Sequence, residues 1–144
     1  MKELVDSWQF WAVLSAIAAA LTAIFAKVGV SGLASDFATL IRTVVVLVAL
    51  IALVTLTNQW RPLGSISARS LVFLVLSGLA TGASWIFYFR ALKIGEAAKV
   101  APIDKLSVVF VAIFAAIFLQ ERLAAINWLG IGLISFGAIL VAIK

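Results

Sequence analysis

Five long apolar segments, separated by short polar links, constrain this chain more than any other feature. They lie at about residues 8–26, 37–57, 71–89, 102–119 and 124–143. A helix of roughly 18 to 21 residues spans roughly 27–31 Å, which is one hydrocarbon thickness. A membrane strand needs only about 10 residues of alternating polarity, and these segments do not alternate. The sequence therefore predicts an all-α membrane protein, a bundle of five transmembrane helices forming one domain over residues 1–144.

Composition agrees with a bilayer as solvent and excludes several kinds of chemistry. Apolar residues make up 65% of the chain, against about half in a soluble domain. The net charge of +5 is spread between the apolar segments, which is typical of membrane-facing loops and not of a nucleic-acid interface. The chain has no Cys and no His, so the usual metal and cofactor ligands and the Cys or Ser–His nucleophiles are absent. We expect no enzyme, no catalytic residue, no metal and no cofactor.

The distribution of basic residues predicts an orientation. Five spans place the two ends on opposite sides, and we call the side of Met1 side A and the other side B. Lys2, Arg61, Arg69 and Arg122 fall on side A, and Lys27, Arg90, Lys93, Lys99 and Lys144 on side B. The bias favours a bacterial or archaeal cytoplasmic membrane with the N-terminus out and the C-terminus in. Because the bias is small, insertion in both orientations stays open.

The first segment has a second interpretation, as a signal peptide. It is longer than the apolar region of such a peptide, and acidic Glu3 and Asp6 precede it. Four further spans follow it. We therefore interpret it as the first transmembrane helix.

Charged residues within the spans are candidates for function because they are costly in lipid. Adjacent helical residues point about 100° apart, so we expect Asp104 to pair with Arg42 or Lys27 and not with Lys105. In the alternative interpretation, Pro102 is the first residue of the helix and the charge of Asp104 complements the helix dipole. The side chains of Arg42 and Lys105 then extend toward water. Asp36, at the start of span two, is interpreted as a helix cap.

Span three carries a polar stripe beside an aromatic residue. Ser77, Thr81, Ser84 and Tyr88 recur at spacings of 4, 3 and 4, and Trp85 flanks them. Such a face could line a groove and offer flat rings to an apolar or cationic solute, or the hydroxyls could bond their own helix while Tyr88 lies in the interfacial belt. The candidate substrate-binding residues are Thr81, Ser84, Trp85, Tyr88 and Asp104, with Arg42, Lys27 and Lys105 as charge partners.

Short motifs follow one another in a specific order along nearly the whole chain. They are Phe25-Ala-Lys27, Leu40-Ile-Arg42, Tyr88-Phe-Arg-Ala-Leu92, Ala101-Pro102, Phe118-Leu-Gln-Glu-Arg-Leu123, Trp128-Leu-Gly130 and Gly137. In order and spacing they resemble an EamA-type unit, the five-helix half-repeat of the drug/metabolite transporter superfamily. Most members carry two such units in inverted orientation, so this chain resembles half of a ten-helix transporter.

The resemblance implies a membrane transporter that moves a small metabolite or drug-like solute by alternating access around a site between two units. A single unit would have to dimerise, and an antiparallel homodimer, which requires dual insertion, would rebuild the inverted pair. The alternatives are a non-transporting subunit of a larger membrane complex and a dual-topology ion channel. The sequence Gly78-Leu-Ala-Thr-Gly82 predicts close helix packing, either within one chain or between chains.

Overall fold

Helices account for almost the whole of the computed structural model, which describes residues 6–143. Three residues used in the sequence analysis lie outside this range. They are Lys2 and Lys144, which were counted for the orientation, and Glu3, which was cited against a signal peptide. The helices are α1 (Trp8–Gly29), α2 (Ser35–Leu56), α3 (Ala68–Ile94), α4 (Ala97–Asp104), α5 (Ser107–Phe118) and α6 (Ala125–Ala142), with one 3₁₀ turn at Leu63–Ser65. Between residues 6 and 143 the chain contains no strand.

Five helical segments of the described chain are long and apolar enough to cross a membrane. They are α1, α2, α3, the pair α4–α5 taken together as Ala97–Phe118, and α6. The predicted all-α fold with five spans is therefore confirmed. The largest extension is in span three, where α3 continues to Ile94, past the predicted end at residue 89. The added turn is stabilised because Arg90 and Lys93 bond residues near the start of α2.

Span four differs from the prediction at its start. The helix begins at Ala97, five residues before the predicted start, after Glu96 in an extended conformation, and Pro102 lies inside it. The interpretation of Pro102 as the first helical residue was wrong. A proline has no N–H to donate within a helix, and α4 ends two residues later, at Asp104.

The junction between α4 and α5 is a run of tight turns. The Lys105 N–H lies 3.3 Å from the Ala101 carbonyl oxygen and 3.1 Å from that of Pro102. Bonds of the i to i−3 kind follow, from Leu106 to Ile103 and from Val108 to Lys105, each at 3.0 Å. This is the geometry of a 3₁₀ segment inserted into a helix. Span four is therefore a broken helix.

The chain forms two compact units. The terminal unit comprises Met1–Phe25 and Ile94–Lys144, and the central unit comprises Ala26–Lys93. In the terminal unit, α4 and α5 each pack against α6, and Ala112 and Ala138 are buried. The prediction of a single domain over residues 1–144 stays a prediction.

In the central unit the buried residues gather at one end of the helices. They are Ala26, Val30, Ala38, Thr39, Phe89 and Leu92. Further along α2 and α3, large apolar side chains such as Val45 and Leu74 are exposed. Exposed apolar side chains are expected where the surrounding medium is lipid. The side B end of the central unit is thus the part that the protein itself packs.

Candidate functional site

An arginine of span two lies on two aromatic rings of span three. Arg42 is the eighth residue of α2, about 10 Å along the helix from its start. Its guanidinium carbon is 4.0 Å from the centre of the Trp85 ring and 5.5 Å from that of Phe89. The two rings lie four residues apart on α3, a spacing that brings them to one face. All three residues belong to the central unit, and we call them the arginine stack.

One hydrogen-bonding group of the stack is unsatisfied. The Nη1 atom of Arg42 is shielded from the surroundings, and within residues 6–143 nothing accepts a hydrogen bond from it. A guanidinium carries five N–H donors, and a buried donor without a partner costs about 1–3 kcal/mol. The attraction between the cation and the rings, about 0.5–2 kcal/mol, offsets part of that cost. It does not supply the missing acceptor.

Charged side chains bridge the same end of α2 and α3. Arg90 donates from Nε and Nη2 to the two carboxylate oxygens of Asp36, at 3.0 and 2.7 Å. Lys93 donates to the Leu33 carbonyl oxygen at 2.9 Å. Together these bonds tie the last turns of α3 to the start of α2.

The expectation that Asp36 caps α2 was wrong. The N-cap residue is Ala34, and no side chain bonds the helix there. Asp36 lies in the first turn, where its charge still complements the helix dipole. Its oxygens bind Arg90 because a two-pronged bond between charged groups is stronger than a bond to a neutral N–H.

The end of α1 joins this region through a lysine. Lys27 donates from Nζ to the Leu92 carbonyl oxygen at 2.7 Å, and Leu92 is fully buried. Residues 26–42 and 85–93 thus carry four cations, including Lys27 and Arg42, and one carboxylate. The surplus of positive charge lies around the arginine stack.

The polar stripe of span three divides into two parts. Trp85 and Tyr88 are half-buried, and Tyr88 is near enough to Arg42 to interact electrostatically with it. Thr81 and Ser84 are exposed, and the Thr81 hydroxyl donates to the Ser77 carbonyl oxygen at 2.9 Å. At Thr81 the hydroxyl therefore bonds its own helix, as the alternative interpretation expected. The structure brings Trp85 and Tyr88 together with Arg42, and the substrate-binding roles stay predictions.

Asp104 has a partner that the sequence argument rejected. Lys105 Nζ lies 3.3 Å from the Asp104 Oδ2 atom. The expectation that these neighbours cannot pair was wrong because α4 ends at Asp104, so Lys105 does not continue a regular helix. Asp104 is half-buried and Lys105 is exposed. Pairs of Asp104 with Arg42 or Lys27 stay predictions.

Two members of the site were missed from the sequence. Phe89, buried beneath Arg42, reads as one more apolar residue of span three. Its spacing of four from Trp85 is the signal that could have identified it. Arg90 was assigned only to the basic loop, because its partner Asp36 lies 54 positions away.

The five spans and the intramembrane arginine define a polytopic, all-helical integral membrane protein. The EamA-like transporter family matches the chain over residues 6–143. A protein of a Sinorhizobium species, described as an uncharacterized transporter in the cobO 3′ region, is 62% identical over 138 residues. That match covers 96% of this chain and 98% of the relative. No solved structure matches the chain.

This chain belongs to the EamA-like transporter family, which confirms the resemblance found in its motifs. It is a membrane transporter by family and by its similarity to a protein described as one. Both findings point to transport and away from catalysis.

Proposed function

We propose that the protein is a homodimeric transporter that moves a small metabolite or drug-like solute by alternating access. The observation that carries the proposal is the arginine stack. Ionisable residues inside a span are costly and commonly mark a solute pathway, and Arg42 is positioned on Trp85 at 4.0 Å, with no acceptor for its Nη1 group among the described residues. Trp85 and Tyr88 line the solute site beside it.

The dimer is proposed because transporters of this superfamily work as two inverted units around one site. The Sinorhizobium relative is about one unit long, since the 138 aligned residues make up 98% of it. The glycines at 78 and 82 support a contact between chains. A Cβ added to either glycine meets no other atom within 4 Å among the described residues, so the fold of one chain leaves these positions open.

The broken helix of span four supports alternating access. Discontinuous spans are a recurring feature of transporter sites, and Asp104 lies where α4 ends. We propose that its carboxylate couples transport to protons. Asp104→Asn is then expected to abolish gradient-driven uptake into liposomes while leaving the protein folded. Unchanged uptake in that variant would remove the coupling role.

Flux through the purified protein tests the function itself. Proteoliposomes would be loaded with radiolabelled organic acids, amino acids or quaternary amines, with empty liposomes as the blank. Saturable flux of one solute at carrier rates supports the proposal. Flux far above carrier rates would indicate an ion channel, and the absence of flux for every solute would favour a subunit of a larger complex.

The sidedness of the C-terminus tests the antiparallel dimer. The chain has no native Cys, so one cysteine added after Lys144 reports without background. Labelling intact cells with a membrane-impermeant maleimide, before and after permeabilisation, gives the accessible fraction. About half accessible indicates both orientations in the cytoplasmic membrane and supports the antiparallel pair. Full protection indicates N-out and C-in, and the antiparallel dimer is then excluded.

A further inference from the structure

The central unit has fewer acidic than basic residues. Residues 26–93 contain six basic residues and a single acidic one, Asp36. Both oxygens of that carboxylate are bound by Arg90. No further acidic side chain exists within the unit to neutralise Arg42. Within this unit the Arg42 cation lies on aromatic rings, which accept no conventional hydrogen bond.

The geometry of Arg42 matches an anionic oxygen group. Its Nη1 atom has no acceptor, and its planar group is fixed against Trp85 at 4.0 Å. A guanidinium held in one plane presents paired N–H groups, which match the two oxygens of a carboxylate or phosphate. Nη1 itself is shielded, but Arg42 as a whole is only half-buried, so another part of the side chain can be approached from outside the central unit.

The surrounding charge favours an anion over a cation. Lys27, Arg90 and Lys93 lie near the helix ends of the same region, and clustered charge of one sign concentrates ligands of the opposite sign. A cationic solute would face that surplus and would also find one face of Trp85 already covered by Arg42. The sequence suggested that the Trp85 ring could bind a cationic or apolar solute. In the structure, Arg42 of the protein itself covers one face of that ring.

We propose that Arg42 binds the anionic oxygen group, carboxylate or phosphate, of a ligand that enters beside Trp85. The group belongs to the transported solute or to a lipid headgroup, and in the first case the inference rests on the proposed transport function. Binding neutralises the charge of Arg42.

The test measures binding without a gradient. Purified protein in a non-ionic detergent is titrated with benzoate, inorganic phosphate or benzylammonium, and the thermal unfolding midpoint is followed, because a ligand of the folded state raises it. We expect benzoate or phosphate to raise the midpoint and benzylammonium to leave it unchanged. Arg42→Gln is expected to lose the rise, and Arg69→Gln, a matched loss of charge at the other end of α3, to keep it.

A second variant covers the case in which Arg42→Gln does not fold. Arg42→Lys keeps the charge but loses the paired N–H geometry, and we expect it to bind the anion about tenfold more weakly. An undiminished rise in Arg42→Gln, undiminished affinity in Arg42→Lys, or a rise with benzylammonium in place of the anions would overturn the inference.

Lipid discs separate the two sources of the anion. Discs of phosphatidylcholine alone are compared with discs in which phosphatidylglycerol replaces part of the lipid. If the headgroup is the ligand, phosphatidylglycerol stabilises the wild type, not Arg42→Gln, and weakens benzoate binding. If the solute is the ligand, the two discs give the same benzoate affinity. Stabilisation by neither the soluble anions nor phosphatidylglycerol would overturn the inference in both forms.

Flux measurements distinguish a failure of the proposed anion site from a failure of the transport proposal. Anion binding that depends on Arg42, without flux of any solute, would contradict transport and leave the site intact. Flux of a solute without anion-dependent stabilisation would support transport and contradict this site.

Discussion

In the terminal unit, α4 and α5 lie against α6 with the small side chains of Ala112 and Ala138 buried. In the central unit, α2 and α3 are joined by an ion pair, a lysine-to-carbonyl bond and an arginine on a ring, all at one end. Lipid gives no hydrophobic drive for helix association, so helices in a membrane rely on close packing or on polar bonds. The contacts described in the terminal unit are of the first kind. The central unit adds polar bonds to its own packed residues, such as Val30 and Leu92.

The difference bears on the proposed binding of a ligand by the central unit. The dispersion attraction between closely packed small side chains is a sum of many weak contacts. It is lost when the helices separate, because each contact falls off steeply with distance. A few polar bonds at one end can be exchanged one at a time for bonds to a solute. The proposed ligand site lies in the central unit, where Nη1 of Arg42 has no acceptor among the described residues.

The largest expected effect comes from overpacking the terminal unit. Ala112 is 6% exposed, and Ala112→Leu places three more carbons where α5 is already packed. We expect a loss of about 1–3 kcal/mol in unfolding free energy, measured by denaturant unfolding in detergent. Ala83→Leu, at an exposed alanine of α3, is the control and is expected to change little. Equal effects of the two substitutions would contradict the comparison.

Removing the ring under Arg42 tests the other unit. Trp85→Leu leaves an apolar side chain but no aromatic face for the cation, and we expect a loss of about 1 kcal/mol. The control is Phe87→Leu, since Phe87 is exposed on the same helix. The measurement is again denaturant unfolding. An equal or larger loss in Phe87→Leu would show that the loss of any aromatic ring, and not of the stack, sets the effect.

A smaller effect is expected from the ion pair at the start of α2. Asp36 and Arg90 bond at 2.7 and 3.0 Å but both are exposed, and exposed charge pairs are weakened by solvent. Asp36→Asn and Arg90→Gln should each lower the unfolding midpoint. The unfolding midpoint of the double variant should be no lower than that of the less stable single variant, because all three variants lose the same ion pair. Full additivity would argue against the pair.

The smallest effect on the fold is expected at the glycines of α3. Nothing lies within 4 Å of a Cβ added at Gly78 or Gly82, so Gly78→Ala and Gly82→Ala should not destabilise one chain, and the helix preference of Ala should stabilise it slightly. If these positions form the dimer contact, both variants should weaken it, as seen by cross-linking in membranes. An unchanged dimer would place the contact elsewhere.

Hydropathy was sufficient to predict the spans, but it could not predict the break in span four. Pro102 suits the start of a helix, and α4 instead begins at Ala97 and continues through it. A proline is tolerated in the first turns of a helix and also ends helices, so the residue itself does not distinguish the two. Whether the helix starts at the proline or before it depends on whether the turn before the proline is packed, and α4 packs on α6.

The candidate site was predicted in part. Arg42, Trp85 and Tyr88 stood out because polar and amphipathic residues are unusual within apolar spans. The contacts between these residues depend on which helices are neighbours and on how each helix is rotated. The sequence pattern of a single helix gives neither its neighbour nor its rotation. For the same reason Asp36 was assigned to its own helix end, although it bonds Arg90 54 residues away.

The turn at Lys105 and Leu106 also has a mechanical consequence. It divides span four into rods of 8 and 12 residues, about 12 and 18 Å long. A jointed rod does not transmit a tilt along its full length, so α4 and α5 can lean by different amounts. Each rod reaches only part of the way through the bilayer. In the proposed alternating access, such a joint would let one half of span four tilt while the other half stays in place.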